Sequence, residues 1–318
     1  MGFPPNDPRL ATQDVIFVQR INHEFFLEWI PAMQQAGKKI VLDMDDNIWE
    51  IPSGNLAHRY YPKEITRRMT EIVKLVDAVT TSTIPLGEYI SKWNPNVVVV
   101  PNMIHSTYAY KEMINNEKLR IGWAGSYTHA FEFPAELIKY LRDRTINKKD
   151  VEIIFSGFAP NYVKGFVHEV HGWVDADNWL EFLFNLNLDI GFAVVENNMF
   201  NKCKSNLKFL EYSGCSVPTI ARSQYPYDNS IDHNETGLIV THDKRGWNEA
   251  FDQLINDKSE RDRLRKNAWQ FVHDNFTYEN NGSMIIERYI ELFDHLFKGK
   301  DISSPLTERY KTNGLSLK

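Results

Sequence analysis

Short β-branched runs alternate with amphipathic stretches along nearly the whole chain: DVIFVQ at 14–19, KKIVLDM at 38–44, AVTTS at 78–82 and NVVVVPN at 96–102, then LRIGWAG, VEIIFSG, LDIGFAVV, VPTIA and TGLIVT. Strands separated by helices are joined by right-handed crossovers, which makes them parallel and puts helices on both faces of the sheet. The pattern predicts a doubly wound α/β fold. After the fourth run comes STYAYKEMINNEKL at 106–119, a polar stretch with no clear period, read as the link between two such sheets. The expected organisation is a minimal first domain over 1–110, a second over 119–280, a helix over 281–298 packing back across the cleft, and a polar, mobile tail over 299–318. A chain of 318 residues has room for two domains of ordinary size.

Composition narrows the function classes. A formal net charge of -6 argues against a broad electrostatic grip on nucleic acid, which needs a basic surface to displace counterions. The two cysteines, Cys203 and Cys215, provide no disulfide framework and fit a reducing cytoplasm. The N-terminus has no basic segment followed by an apolar core, and the longest apolar runs, such as Val97 to Val100, are too short to span a bilayer. A soluble, cytoplasmic protein is expected.

Ligands of open α/β sheets bind beyond the carboxyl ends of the strands, and glycine lets backbone approach a ligand closely. Four segments of the second unit fall at that edge: GWAGSYTH at 122–129, SGF at 156–158, HGWV at 171–174 and NKCKSNLK at 201–208. The last opens a short helix through LKFLEYSG. A helix start with Lys204 and Lys208 one turn apart offers a phosphate unpaired N–H groups, the positive end of the helix dipole and two ammonium groups. Glu211, seven residues beyond Lys204, is placed to accept hydrogen bonds from vicinal hydroxyls. The competing reading is an amphipathic helix with a solvated lysine face.

The order IGWAGS, IIFSG, HGWV, NLNLDIGFAVV, KSNLKFLEYSGCSVPTIA and NETGLIV, over about 119–295, resembles the donor-binding domain of the GT-B glycosyltransferases, above all retaining family four (glycosyl transferases group 1). The resemblance implies two Rossmann-like domains facing a cleft. It implies Glu211 on a nucleotide ribose, and Lys204, Ser205, Asn206, Leu207 and Lys208 on a diphosphate. Gly125, Ser126, Gly157 and Phe158 are implied as donor-site loops, with Trp173 and Val174 against the base. Two departures stand out. The family's second glutamate, which touches the donor sugar eight residues before the ribose glutamate, is Cys203 here. An Arg and Lys usual after the first strand of this domain are replaced by GWAGSYTH. Charge is then expected from Lys204 and Lys208, and sugar contacts from Asn201 or Glu196.

The first unit resembles only the later half of its family counterpart and is expected to be short or truncated. Its DMDD turn puts Asp43, Asp45 and Asp46 at a strand end. Three readings stand: acceptor-site carboxylates with Asp45 and Asp46 in the cleft, hard oxygen ligands for a divalent metal, or simple turn caps. His23, His105 and His129 fall near loop edges, where a lone histidine is more often structural. The function implied is transfer of a sugar from a nucleotide diphosphate sugar to a hydroxyl of a glycan, a lipid-linked sugar or a modified DNA base. Retention is expected, with no metal or other cofactor required. Two alternatives are a phage-type DNA glycosyltransferase and a non-catalytic nucleotide-sugar or glycan-binding module. A Rossmann dehydrogenase is disfavoured because no G-x-G-x-x-G follows the first strand.

Overall fold

In the computed structural model, residues 7–112, 117–129, 131–241 and 246–310 are described. The apolar runs become strands of two wholly parallel sheets. In the first, β1 (Val15–Gln19), β2 (Lys39–Met44), β3 (Ala78–Thr81) and β4 (Val97–Val99) lie side by side in chain order. The second contains β5 (Leu119–Ala124), β6 (Val151–Ser156), β7 (Glu169–His171), β8 (Ile190–Ala193), β9 (Thr219–Arg222) and β10 (Leu238–Val240) in the order β10-β9-β8-β5-β6-β7. The chain builds outward from β5 in one direction through β6 and β7, then returns to its other side with β8. The strand order therefore reverses between β5 and β8. β7, not among the strands expected from the sequence, is a three-residue edge strand with no apolar run.

Burial on both faces explains why these strands are so uniformly apolar. In the first sheet, Ile40, Leu42 and Met44 pack with Trp29, Ile30 and Met33 of the helix Phe25–Gln35 and with Met69, Ile72 and Val73 of the helix Lys63–Leu75. Alternation turns Val41, with Ala78 and Val98, to the other face. That face is covered from the far end of the chain, by Leu292 and Leu296 of the helix Tyr278–Lys298 and by Ile302.

Residues 299–310 do not trail away as the expected tail: Ile302 joins this cover, and Leu306 and Tyr310 pack into the core on the opposite face. Ile302, Leu306 and Tyr310 are buried. Arg309 Nη2 donates to the Val97 carbonyl at 2.8 Å, and the Val99 N–H donates to the Tyr310 hydroxyl at 3.1 Å. Residues 311–318 lie outside the described residues. The polar link and the entry to the terminal helix cross between the domains side by side. The Ile104 N–H donates to the Phe276 carbonyl, and the Tyr278 N–H to the Ile104 carbonyl, both at 3.0 Å. Among the described residues no helix is long and apolar enough to cross a membrane.

Candidate active site

A cavity of about 650 Å³ lies between the carboxyl ends of the two sheets. The first domain contributes Arg20 from the loop after β1 and Asp45 and Asp46 from the loop after β2. Facing them are Gly125, Ser126 and His129 after β5, Gly157 after β6, Trp173 and Val174 after β7, and Lys204, Ser205, Leu207, Lys208 and Glu211. The second wall thus sits where the strand order reverses, the usual ligand position in such sheets.

The helix Leu207–Gly214 is pinned to this switch point by Tyr212. Its ring lies over Gly191, where an added Cβ would come within 2.8 Å of the ring, so a side chain there would push the helix off the sheet. Its hydroxyl accepts a hydrogen bond from the Ala124 N–H at 3.0 Å. The loops after β5, β6 and β7 are laced together in the same way. The Gly125 N–H donates to the Ser156 carbonyl and the Gly157 N–H to the His171 carbonyl, both at 3.0 Å. Gly157 has φ +84, and a Cβ there would meet the Gly125 carbonyl oxygen at 2.5 Å, so only glycine fits.

Within this frame Lys204, Lys208 and Glu211 share one wall. Asn206 gives the helix start no side-chain cap; its carbonyl accepts from the Phe209 N–H at 2.9 Å, which leaves the Leu207 and Lys208 N–H groups at the open end of the helix. Burial holds the Lys208 ammonium below the ordinary lysine pKa, and Lys204 pushes the same way. Burial raises the Glu211 carboxyl to about 6, opposed by a hydrogen bond from Trp179 and by the Lys208 charge. Desolvated charges of this kind, gathered in a cleft, mark a functional site. Trp173, 74% exposed, presents its ring at the rim.

Several expected residues lie elsewhere. Asn201 is fully buried and cannot touch a donor; its Nδ2 donates to Glu132 Oε1 at 2.8 Å and to the Glu196 carbonyl at 3.1 Å. The Asn206 side chain is turned to Ser230 Oγ at 2.9 Å. Phe158, following the left-handed turn at Gly157, is partly buried outside the cavity wall, and Glu196 is likewise absent from it. Cys203, at the position of the family's sugar-contacting glutamate, is withdrawn into the domain interface. It is fully buried in the first domain's core, with Asn47 Nδ2 donating to its Sγ at 3.3 Å and Thr83 Oγ1 to its carbonyl at 2.8 Å. Restoring the glutamate by Cys203→Glu is therefore expected to lower stability by about 3 kcal/mol or more, through an uncompensated buried carboxylate, without improving donor binding. Thermal denaturation beside Cys203→Ser checks this, and an unchanged melting temperature would refute it.

The DMDD turn divides its aspartates. Asp43 accepts from Thr80 Oγ1 at 2.6 Å and Gln19 Nε2 at 3.2 Å and takes no part in the cavity. Arg20 forks onto Asp45 through Nε and Nη2 and stands 3.7 Å from Asp46. Burial raises the Asp46 carboxyl above its usual range, while Lys204 pulls it down; the two side chains line the same cavity from different domains. The three carboxylates do not converge, and among the described residues no group of three or more His, Cys, Asp or Glu side chains is placed to hold a metal ion.

The sequence reading did not assign Arg20, Trp179, Asn102 or the pair His129 and Glu132. Asn102 Nδ2 donates to Ser205 Oγ at 2.9 Å, tying the domain link to the lysine loop. His129 Nδ1 lies 2.5 Å from Glu132 Oε2. The spacing His-x-x-Glu was the available signal.

No protein-family model matches the sequence, and no curated protein matches it significantly. Solved structures do match. TarM from S. aureus, solved with fondaparinux, α-GlcNAc-glycerol and UDP, superposes with a TM-score of 0.62 at 14% identity over 84% of this chain and 54% of TarM. HepE from Anabaena, solved with UDP and glucose, gives 0.66 at 13% identity over 89% of this chain and 79% of HepE. Sucrose-phosphate synthase from Thermosynechococcus elongatus gives 0.62 at 13% identity over 90% and 74%. This chain thus spans about half the length of TarM. Two parallel α/β sheets opposed across a cleft, superposing on these structures over most of this chain, give the chain the GT-B fold.

Proposed function

We propose that the protein is a glycosyltransferase that moves a sugar from a nucleotide diphosphate sugar to a hydroxyl acceptor held between its domains, with retention of configuration. The observation that carries this reading is the single wall on which Lys204, Lys208, an uncapped helix start and Glu211 meet. Such a wall suits a diphosphate beside a ribose. The UDP in the TarM and HepE structures supports the same ligand class.

In this reading Glu211 accepts from the ribose hydroxyls and the exposed Trp173 lies against the base. Lys204, Lys208 and the first-turn N–H groups bind the diphosphate. As the glycosidic bond breaks, the sugar becomes oxocarbenium-like and negative charge collects on the β-phosphate. Preorganised donors on that phosphate stabilise the transition state more than the ground state. Asp46, with Asp45 held by Arg20, forms the acceptor side and receives the incoming hydroxyl.

The test is a calorimetric and thermal-shift screen of UDP, GDP, ADP, CDP and dTDP, each with and without magnesium. Selective binding of one nucleotide without magnesium, abolished in Glu211→Ala, is expected. Failure of all five to bind would refute the donor site. Donor binding with neither transfer nor donor hydrolysis would convert the reading to a binding module.

A further inference from the structure

Resting on the donor-site reading above, we infer that His129 reads the donor sugar: the ring lines the cavity with Nδ1 held by Glu132, and its Nε2 receives a sugar hydroxyl there. This supplies the contact that Cys203, buried in the domain interface, does not make.

The argument begins with Glu132, which is 1% exposed. Both of its oxygens are engaged: Asn201 Nδ2 lies 2.8 Å from Oε1 and His129 Nδ1 2.5 Å from Oε2. Asn201 is itself fully buried, and its second bond to the Glu196 carbonyl at 3.1 Å keeps it from swinging away. Burial alone would raise the Glu132 carboxyl. The hydrogen bonds from His129 and Asn201 and the charge of Lys204 pull it the other way. A carboxylate can only accept, so the proton between the two residues belongs to Nδ1.

The other ring nitrogen follows from the charge of the imidazole. Burial, then Lys208 and Lys204, hold its pKa down at about 4 against the pull of Glu132. The ring is therefore neutral near pH 7, and Nε2 carries a lone pair. Among the described residues Nε2 makes no hydrogen bond, and His129 lines the cavity beside Lys204 and Lys208. Beside the phosphate-binding lysines, the group a bare nitrogen can receive is a hydroxyl on the sugar attached to that phosphate. A buried carboxylate, with an asparagine behind it, thus fixes one tautomer of one cavity-facing ring.

The experiment compares dissociation constants for UDP against UDP-glucose and for GDP against GDP-mannose, in wild type, His129→Ala, His129→Gln and Glu132→Gln, with melting temperatures recorded for each. The readout is the ratio of free nucleotide to nucleotide-sugar constants. His129→Ala is expected to leave the free nucleotide within about twofold and to weaken the nucleotide sugar about tenfold. His129→Gln, which can present an amide oxygen, is expected to recover part of the loss. Glu132→Gln is close to isosteric and turns the ring round, because its amide donates to Nδ1 and moves the proton to Nε2; it is expected to lose the sugar contribution while keeping the nucleotide. An unchanged ratio in His129→Ala would overturn the assignment. Equal loss of nucleotide and nucleotide sugar would place Nε2 on the phosphate as a protonated donor and would overturn it too. Wild-type protein that binds no nucleotide would refute the donor site itself, and this assignment with it.

Discussion

Lys204→Ala is expected to lower the transfer rate about 100- to 1,000-fold while changing donor affinity only a few-fold. That rate loss corresponds to about 3–4 kcal/mol of transition-state stabilisation, the scale set by removing one preorganised donor from a developing anion. Of the two lysines, Lys204 has the stronger claim on the leaving group. Lys208 lies one turn from Glu211 on the same cavity wall, and the Trp123 ring centroid is 6.0 Å from its cation. Lys204 lies on the cavity wall, where its charge also pulls on Asp46 across the cleft. In the proposed reading this places it between the departing phosphate and the acceptor side. Single-turnover kinetics with saturating donor separate the two effects. A normal rate in Lys204→Ala would remove that residue from the mechanism, and an affinity loss equal to the rate loss would reduce it to ground-state binding.

Donor affinity is expected to fall about tenfold as pH drops from 7 to 5, and Glu211→Gln is expected to abolish that dependence while weakening binding at pH 7. The carboxyl titrates at about 6 in the folded protein. Above that pH it accepts two hydroxyls as a carboxylate; below it, the protonated group must give up one of them. A nucleotide sugar is the right probe, because its diphosphate diester does not titrate in this window. Stability runs the opposite way. A folded pKa raised from 4.5 to about 6 favours folding below 4.5 and forfeits that advantage as pH rises through 6. Glu211→Gln should then gain at most about 2 kcal/mol over wild type at pH 8, with no gain at pH 4. A flat affinity profile in wild type would remove the carboxylate from the ribose site.

Sequence periodicity was a good guide to the scaffold and a poorer one to the chemistry. The apolar runs were legible because strands covered on both faces leave no room for polar alternation, as Ile40, Val41 and Leu42 illustrate. β7 escaped because Glu169 and His171 lie at a sheet edge, where burial imposes no such pattern. The wall of Lys204, Lys208 and Glu211 was visible because one short stretch carries it, Lys204 in the loop before the helix and Lys208 and Glu211 on the helix. Asn201 was misread for the complementary reason: it was put forward to take over the sugar contact missing at Cys203, whereas its partner is Glu132, 69 positions away. Arg20 and Asp45, 25 positions apart, likewise meet only because β1 and β2 run in parallel. Local spacing identified what one element displays, and the crossovers decided what it faces.

The terminal helix and its strap have a consequence for the order of assembly. Multidomain chains commonly fold from the N-terminus as they are synthesised. Here the first sheet is translated early, yet Val41, Ala78 and Val98 find their cover only in Leu292, Leu296 and Ile302, after the whole second domain has been made. During synthesis that face of the first sheet stays bare, while the residues that cover both faces of the second sheet have all been made by Phe276. The domain born second thus finishes first, and the domain born first is sealed by the last residues to emerge.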